Sequence, residues 1–136
     1  MKIKVSSRNV LLIAGILGML AVVLGAFGAH GLKELLSEDQ LNSYKTGVNY
    51  QFYHALVLLF LGLVIKRNES SWFKRASIFF IAGILLFSGS IYLLSTRELL
   101  GLSNYKWLGP ITPVGGIFFI LGWLSICIGA FKDYDK

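Results

Sequence analysis

The sequence predicts an all-α integral membrane four-helix bundle, antiparallel, with both termini on the same side of the bilayer. Three observations lead there. The composition is 55% hydrophobic and only 15% charged. Soluble domains carry about 25% charged residues, so the polar surface that a water-exposed fold requires is missing. Second, Asp, Glu, Lys and Arg are absent from Asn9 to Gly31, Thr46 to Ile65, Ala76 to Thr96 and Trp107 to Phe131, each run being at least 20 residues long. A helix needs roughly 20 residues to cross about 30 Å of hydrocarbon. Third, the charges between these runs are sorted by side. The N-terminus, middle loop and tail hold Lys2, Lys4, Arg8, Lys66, Arg67, Lys74, Arg75, Lys132 and Lys136 against Glu69, Asp133 and Asp135. The other two loops balance Lys33, Lys45, Arg97 and Lys106 with Glu34, Glu38, Asp39 and Glu98. The positive-inside rule then puts both termini in the cytoplasm. It also assigns the net charge of +6 to topology and attraction to lipid headgroups, with no nucleic-acid partner.

The chain reads as one membrane domain, 1–136, with spans at about 10–29, 48–65, 76–95 and 108–131. The first span carries small residues at Ala14, Gly18, Ala21, Gly25 and Ala29, spacing that draws one stripe along a helix. Lipid gives helices little hydrophobic reason to associate, so such residues serve by letting backbones approach closely. A basic start before an apolar stretch also fits a signal peptide, but the uncharged run exceeds the usual 7–15-residue apolar core, and a retained helix is expected. Gly28 and Gly31 then let the chain leave the helix. Ser37-Glu38-Asp39-Gln40 fits a capping box. It opens an amphipathic surface helix at about 37–47 that continues into the second span, with Leu41, Tyr44, Val48, Phe52 and Ala55 at helical spacing. The fourth span opens on Gly109-Pro110-Ile111-Thr112-Pro113, and proline is tolerated in a first turn. Gly115, Gly122 and Gly129 repeat every seven residues and predict a second close-packing face. Trp72 and Trp107 flank span ends, where aromatic belts belong, and Trp123 packs or faces lipid.

Most polar residues of the spans fall in the halves away from the basic side: His30; Asn49, Gln51, Tyr53 and His54; Ser88, Ser90 and Tyr92; Thr112. Polar groups at membrane depth usually face protein or a water-filled cavity. They predict either helix-to-helix hydrogen bonds or an outward-facing binding pocket near His30, Tyr50, Gln51, His54, Ser88, Tyr92 and Thr112. Histidine ligates metal or shuttles protons near neutral pH, so His30 and His54 as haem or metal ligands form a third reading. No HxxxH or HExxH spacing supports it. Catalysis has no motif here, and the spans contain no carboxylate for a proton relay. Cys127, the single cysteine, excludes an intramolecular disulfide and a site built on thiolates alone.

Four segments together form a recognisable pattern: "GAFGAHGLK", "YQFYHALVLL", "FSGSIYLL" and "LGPITPVGGIFFILGW". In this order they resemble the bacterial membrane family called domain of unknown function 423, or uncharacterised protein family 0382, over about 10–131. The resemblance implies a small multi-pass protein of the bacterial plasma membrane and brings no activity, substrate or catalytic residue with it. The expected function is therefore a binding, transport or accessory role without catalysis and without an assigned cofactor. A purely structural subunit of a larger complex is the other class. The lipid bilayer is the partner implied directly; a homo-oligomer, a membrane-protein partner and a small ligand stay open.

Overall fold

The computed structural model describes residues 5–102, 104 and 106–133. Lys2, Lys4, Asp135 and Lys136, counted in the charge reading above, lie outside the described residues. Those described are helical and connected by turns, and four stretches are long and apolar enough to cross a membrane. Helix α1 spans Ser7–His30, and the Ser6 hydroxyl caps it by accepting from the Asn9 amide at 3.2 Å. Helix α2 runs unbroken from Glu38 to Arg67, 30 residues. Its capping box is complete: Ser37 Oγ accepts from the Gln40 amide, and Gln40 Oε1 accepts from the Ser37 amide at 2.9 Å. Two amides that a helix start leaves unpaired are thereby satisfied.

The third crossing is built in three pieces: α3 (Ser71–Gly83), a π-helical turn (Ile84–Ser88) and α4 (Gly89–Thr96). A short 3₁₀ turn, Lys106–Leu108, precedes α5 (Ile111–Asp133). Helix α1 lies along α2; α2 also packs on the α3–α4 crossing, which in turn carries α5.

Close packing between α3–α4 and α5 follows a matched seven-residue repeat. Phe73, Phe80 and Phe87 on one side meet Gly129, Gly122 and Gly115 on the other. A Cβ at Gly129 would stand 2.9 Å from the Phe73 ring, and one at Gly122 2.7 Å from the Phe80 ring. The exchange is reciprocal at one position, where Phe119 of α5 fills the space over Gly83. At Gly115 the contact is with backbone: a Cβ there would lie 2.7 Å from Phe87 Cα, inside the wide turn. In lipid, dispersion contacts of this kind replace the hydrophobic effect as the reason helices stay together. The core they build contains Val10, Ala14, Leu58, Leu61, Phe73, Phe80, Ile84 and Phe119.

Helix α1 buries Val10, Ala14, Ala21 and Gly28. It turns Leu12, Ile16, Met19, Val22, Val23 and Phe27 outward, as a lipid-facing helix requires. The stripe is narrower than the small-residue spacing predicts. Ala14, Ala21 and Gly28 are seven apart and drift only about 20° per repeat, so they stay on α2. Gly28 lies beneath the Tyr44 ring, and a Cβ at Gly25 would come 3.3 Å from Val48. Gly18 falls about 40° round the helix from Ala14, and a Cβ there would touch nothing within 4 Å; Ala29 is exposed. Within this chain, nothing among the described residues packs closely on Gly18. Gly18→Ala is expected to leave thermal stability in detergent within about 0.5 kcal/mol of the parent, and a clear loss would place another helix against it.

Candidate functional site

Gln51 joins three crossings. Its Nε2 donates to the Leu17 carbonyl of α1 at 2.8 Å, and its Oε1 accepts from the Tyr92 hydroxyl of α4 at 2.8 Å. Tyr44 donates its hydroxyl to the Leu24 carbonyl at 2.9 Å and packs its ring 5.2 Å from that of Tyr92. Ser88, fully buried on the π-helical turn, donates to the Gly47 carbonyl at 2.7 Å. The Ser90 and Thr112 hydroxyls share a hydrogen bond at 2.6 Å. These side chains are occupied by the bundle itself, as the absence of water in a bilayer core demands.

His54 differs. It is 5% exposed, and its Nδ1 lies 2.7 Å from the carbonyl of Tyr50, one turn earlier on α2. A carbonyl only accepts, so Nδ1 carries a proton, and in the neutral form of the ring Nε2 presents a lone pair. The imidazole stacks on Phe119 of α5 at 3.7 Å with a 4° tilt between planes. Phe80 lies 5.3 Å away and the Trp123 ring stands edge-on at 6.2 Å. Tyr50, 41% exposed, and Trp123, 48% exposed, carry this aromatic wall out to the surface between α2 and α5. No partner meets Nε2 among the described residues. The fully enclosed side-chain atom lacking a partner there is Ser95 Oγ; Nε2 is not among the fully enclosed atoms.

The structure divides the seven predicted binding residues among separate contacts. Gln51 and Tyr92 bond to each other, Ser88 and Thr112 bond elsewhere, and Tyr50 and His54 belong to the aromatic wall. His30 ends α1 and is exposed. Gly28 against Tyr44, Gly25 against Val48 and Gly62 against Leu11 define the register of α1 on α2. By that register His54 is level with Gly18 and Met19, and at 1.5 Å per residue His30 lies about 17 Å further along. One haem or metal ion held by both histidines of one chain is therefore corrected: axial ligands to one iron must lie within a few ångströms. Among the described residues, no three His, Cys, Asp or Glu side chains are grouped to hold a metal ion.

Depth and cavities also differ from expectation. Gln51 bonds to Leu17, near the middle of the 24-residue α1, so the polar centre reaches mid-membrane. The reason is that α2 enters the bundle already at Tyr44, which shifts every later residue inward. Two cavities, of 1260 and 500 Å³, lie at the opposite, basic end of the bundle. The larger is lined by Lys66, Arg67, Asn68, Ser70 and Asp133 among others. There Ser70 Oγ donates to the Asp133 carboxylate and Asn68 Nδ2 to the Asp133 carbonyl, each at 2.6 Å. Trp72 lies beneath Arg75 and Lys132, at 4.7 and 5.8 Å.

Sequence reasoning missed the aromatic wall and the bond from Tyr44 to α1. The wall did leave a signal: Phe73, Phe80 and Phe87 repeat every seven residues, mirroring the α5 glycines.

Residues 24–116 match the model of a protein family described as a protein of unknown function, DUF423. The chain is 39% identical over 127 residues to the UPF0382 inner membrane protein YgdD of Escherichia coli K12, covering 93% of this chain and 92% of that protein. It is 44% identical over 114 residues to the UPF0382 membrane protein SAB0533 of Staphylococcus aureus, covering 84% and 88%. A third relative, the UPF0382 membrane protein SSP2132 of Staphylococcus saprophyticus, is 43% identical over 130 residues, covering 91% and 98%. No solved structure matches it. With four membrane-length helices and relatives named as bacterial membrane proteins along most of their length, the chain belongs to the DUF423 family, otherwise UPF0382, of uncharacterised membrane proteins.

Proposed function

We propose that the protein is a non-catalytic binding protein of the bacterial plasma membrane. It takes a lipid-soluble molecule laterally from the bilayer at the aromatic surface beside His54, between α2 and α5, with its basic end in the cytoplasm. The observation that carries this reading is the contrast between His54 and its neighbours. Gln51, Ser88, Tyr92 and Thr112 spend their hydrogen-bonding capacity between helices, which favours binding over passage of a polar solute. His54, by contrast, keeps an unused acceptor beside rings that reach the lipid-facing surface. Polar groups at such depth are costly, and a ligand that satisfies Nε2 offsets that cost.

The orientation rests on the charge asymmetry, since Arg8, Lys66, Arg67, Lys74, Arg75 and Lys132 all sit at one end. The binding reading is tested by extracting the protein from its own membrane in polymer nanodiscs and analysing the solvent extract by mass spectrometry. The expected result is one small lipid-soluble compound near one per chain, enriched over the surrounding lipid and depleted in His54→Phe. An extract indistinguishable from bulk lipid would overturn it.

A further inference from the structure

Resting on that reading, we infer that the aromatic surface beside His54 selects membrane-soluble hydroxyl donors carrying a planar ring, a phenol or the reduced form of a quinone, over the matching ether or carbonyl compounds. The selectivity follows from the tautomer. The Tyr50 carbonyl 2.7 Å from Nδ1 requires a proton on that nitrogen, which leaves Nε2 as an acceptor. No span contains a carboxylate to pair an imidazolium, so the ring is neutral and does not offer a second N–H. A ligand hydroxyl can donate to Nε2. A ketone or ether oxygen meets it lone pair to lone pair. Near mid-membrane no water competes for the bond or satisfies the rejected ligand.

The walls account for the ring. Tyr50 and Trp123 flank the imidazole, each about half exposed, and offer aromatic faces and edges to a planar group entering between α2 and α5. The stack on Phe119 fixes the imidazole plane, so the acceptor is held in place before a ligand arrives. A site that pairs with a ligand hydroxyl discriminates against the analogue lacking it, because the polar group is then left unpaired.

The test uses two probes that differ in one donor, 4-nonylphenol and its methyl ether. Each is titrated, as mole fraction of lipid, into nanodiscs holding the full chain labelled with ¹⁵N-histidine. His54 Nε2 reports binding and the exposed His30 serves as internal reference. In the unliganded protein the His54 spectrum is expected to show a neutral ring protonated at Nδ1. The phenol is expected to bind about tenfold more tightly than the ether, and His54→Phe, which keeps a flat ring against Phe119, is expected to remove that preference in competition experiments. Equal binding of both probes to the parent protein would overturn the donor selectivity while leaving lateral binding standing. Binding of neither would count against the His54 surface as a site altogether. A tenfold preference that persists in His54→Phe would move the selecting group away from His54, and an Nε2-protonated ring would reverse the sign of the inference.

Discussion

Gly115→Ala is expected to destabilise the protein by about 3 kcal/mol, the upper end of the usual cost of overpacking. The added methyl would stand 2.7 Å from Phe87 Cα and 2.8 Å from the Leu86 carbonyl carbon. Backbone atoms, unlike the tip of a flexible side chain, move only if α5 separates from the π-helical turn. That separation would also stretch the Ser90–Thr112 hydrogen bond one turn away. The neighbouring Gly116→Ala is the control, since a Cβ there would come no closer than 4.0 Å to Phe87, and it is expected to stay within about 0.5 kcal/mol of the parent. Equilibrium unfolding in mixed micelles measures both. Equal effects at the two glycines would remove the close-approach account.

Gln51→Leu is expected to cost about 2 kcal/mol, because it removes two hydrogen bonds and leaves the Tyr92 hydroxyl buried without its acceptor. Tyr92→Phe removes one of those bonds and no carbonyl partner, so about 1 kcal/mol is expected. The double variant should then lose less than the two single losses added together, by about 1 kcal/mol, because the shared bond is counted only once. Strict additivity in that cycle would mean that the 2.8 Å Gln51–Tyr92 contact contributes nothing to holding the crossings together.

The four crossings were legible in the sequence because a bilayer imposes a one-dimensional rule, and runs without charge are visible residue by residue. The capping box at Ser37 was equally plain, since both of its hydrogen bonds are local. The glycines of α5 announced a contact face, and Gly115, Gly122 and Gly129 are all buried. Their partners were not legible: that Phe73, Phe80 and Phe87 fill those gaps depends on how α5 slides along α3–α4, which no local pattern encodes. Gly18 misled for the same reason, since small residues at spacings of three and four mark a broad face while the neighbouring helix covers only its centre. The histidines are the sharpest case. Composition could suggest that His30 and His54 act together, but only the register of α1 on α2 separates them along the membrane normal. The two nitrogens of His54 acquire their different roles from a carbonyl of the same helix, a detail of side-chain rotamer that spacing does not carry.

The division of contacts has a consequence for biosynthesis. Within α1–α2 the contacts are of glycine with Tyr44, Val48 and Leu11, and within α3–α5 of phenylalanine with glycine. Between these two pairs lie Gln51 with Tyr92, Ser88 with Gly47 and His54 with Phe119, beside one further glycine contact, Gly47 against Tyr92 and Ile91. Each pair thus has a close-packed interface of its own, and two hairpins inserted in turn are expected to meet along a seam where hydrogen bonds sit beside the packing. Hydrogen bonds are directional, so in hydrocarbon such a seam favours one alignment of the hairpins over others that pack equally well.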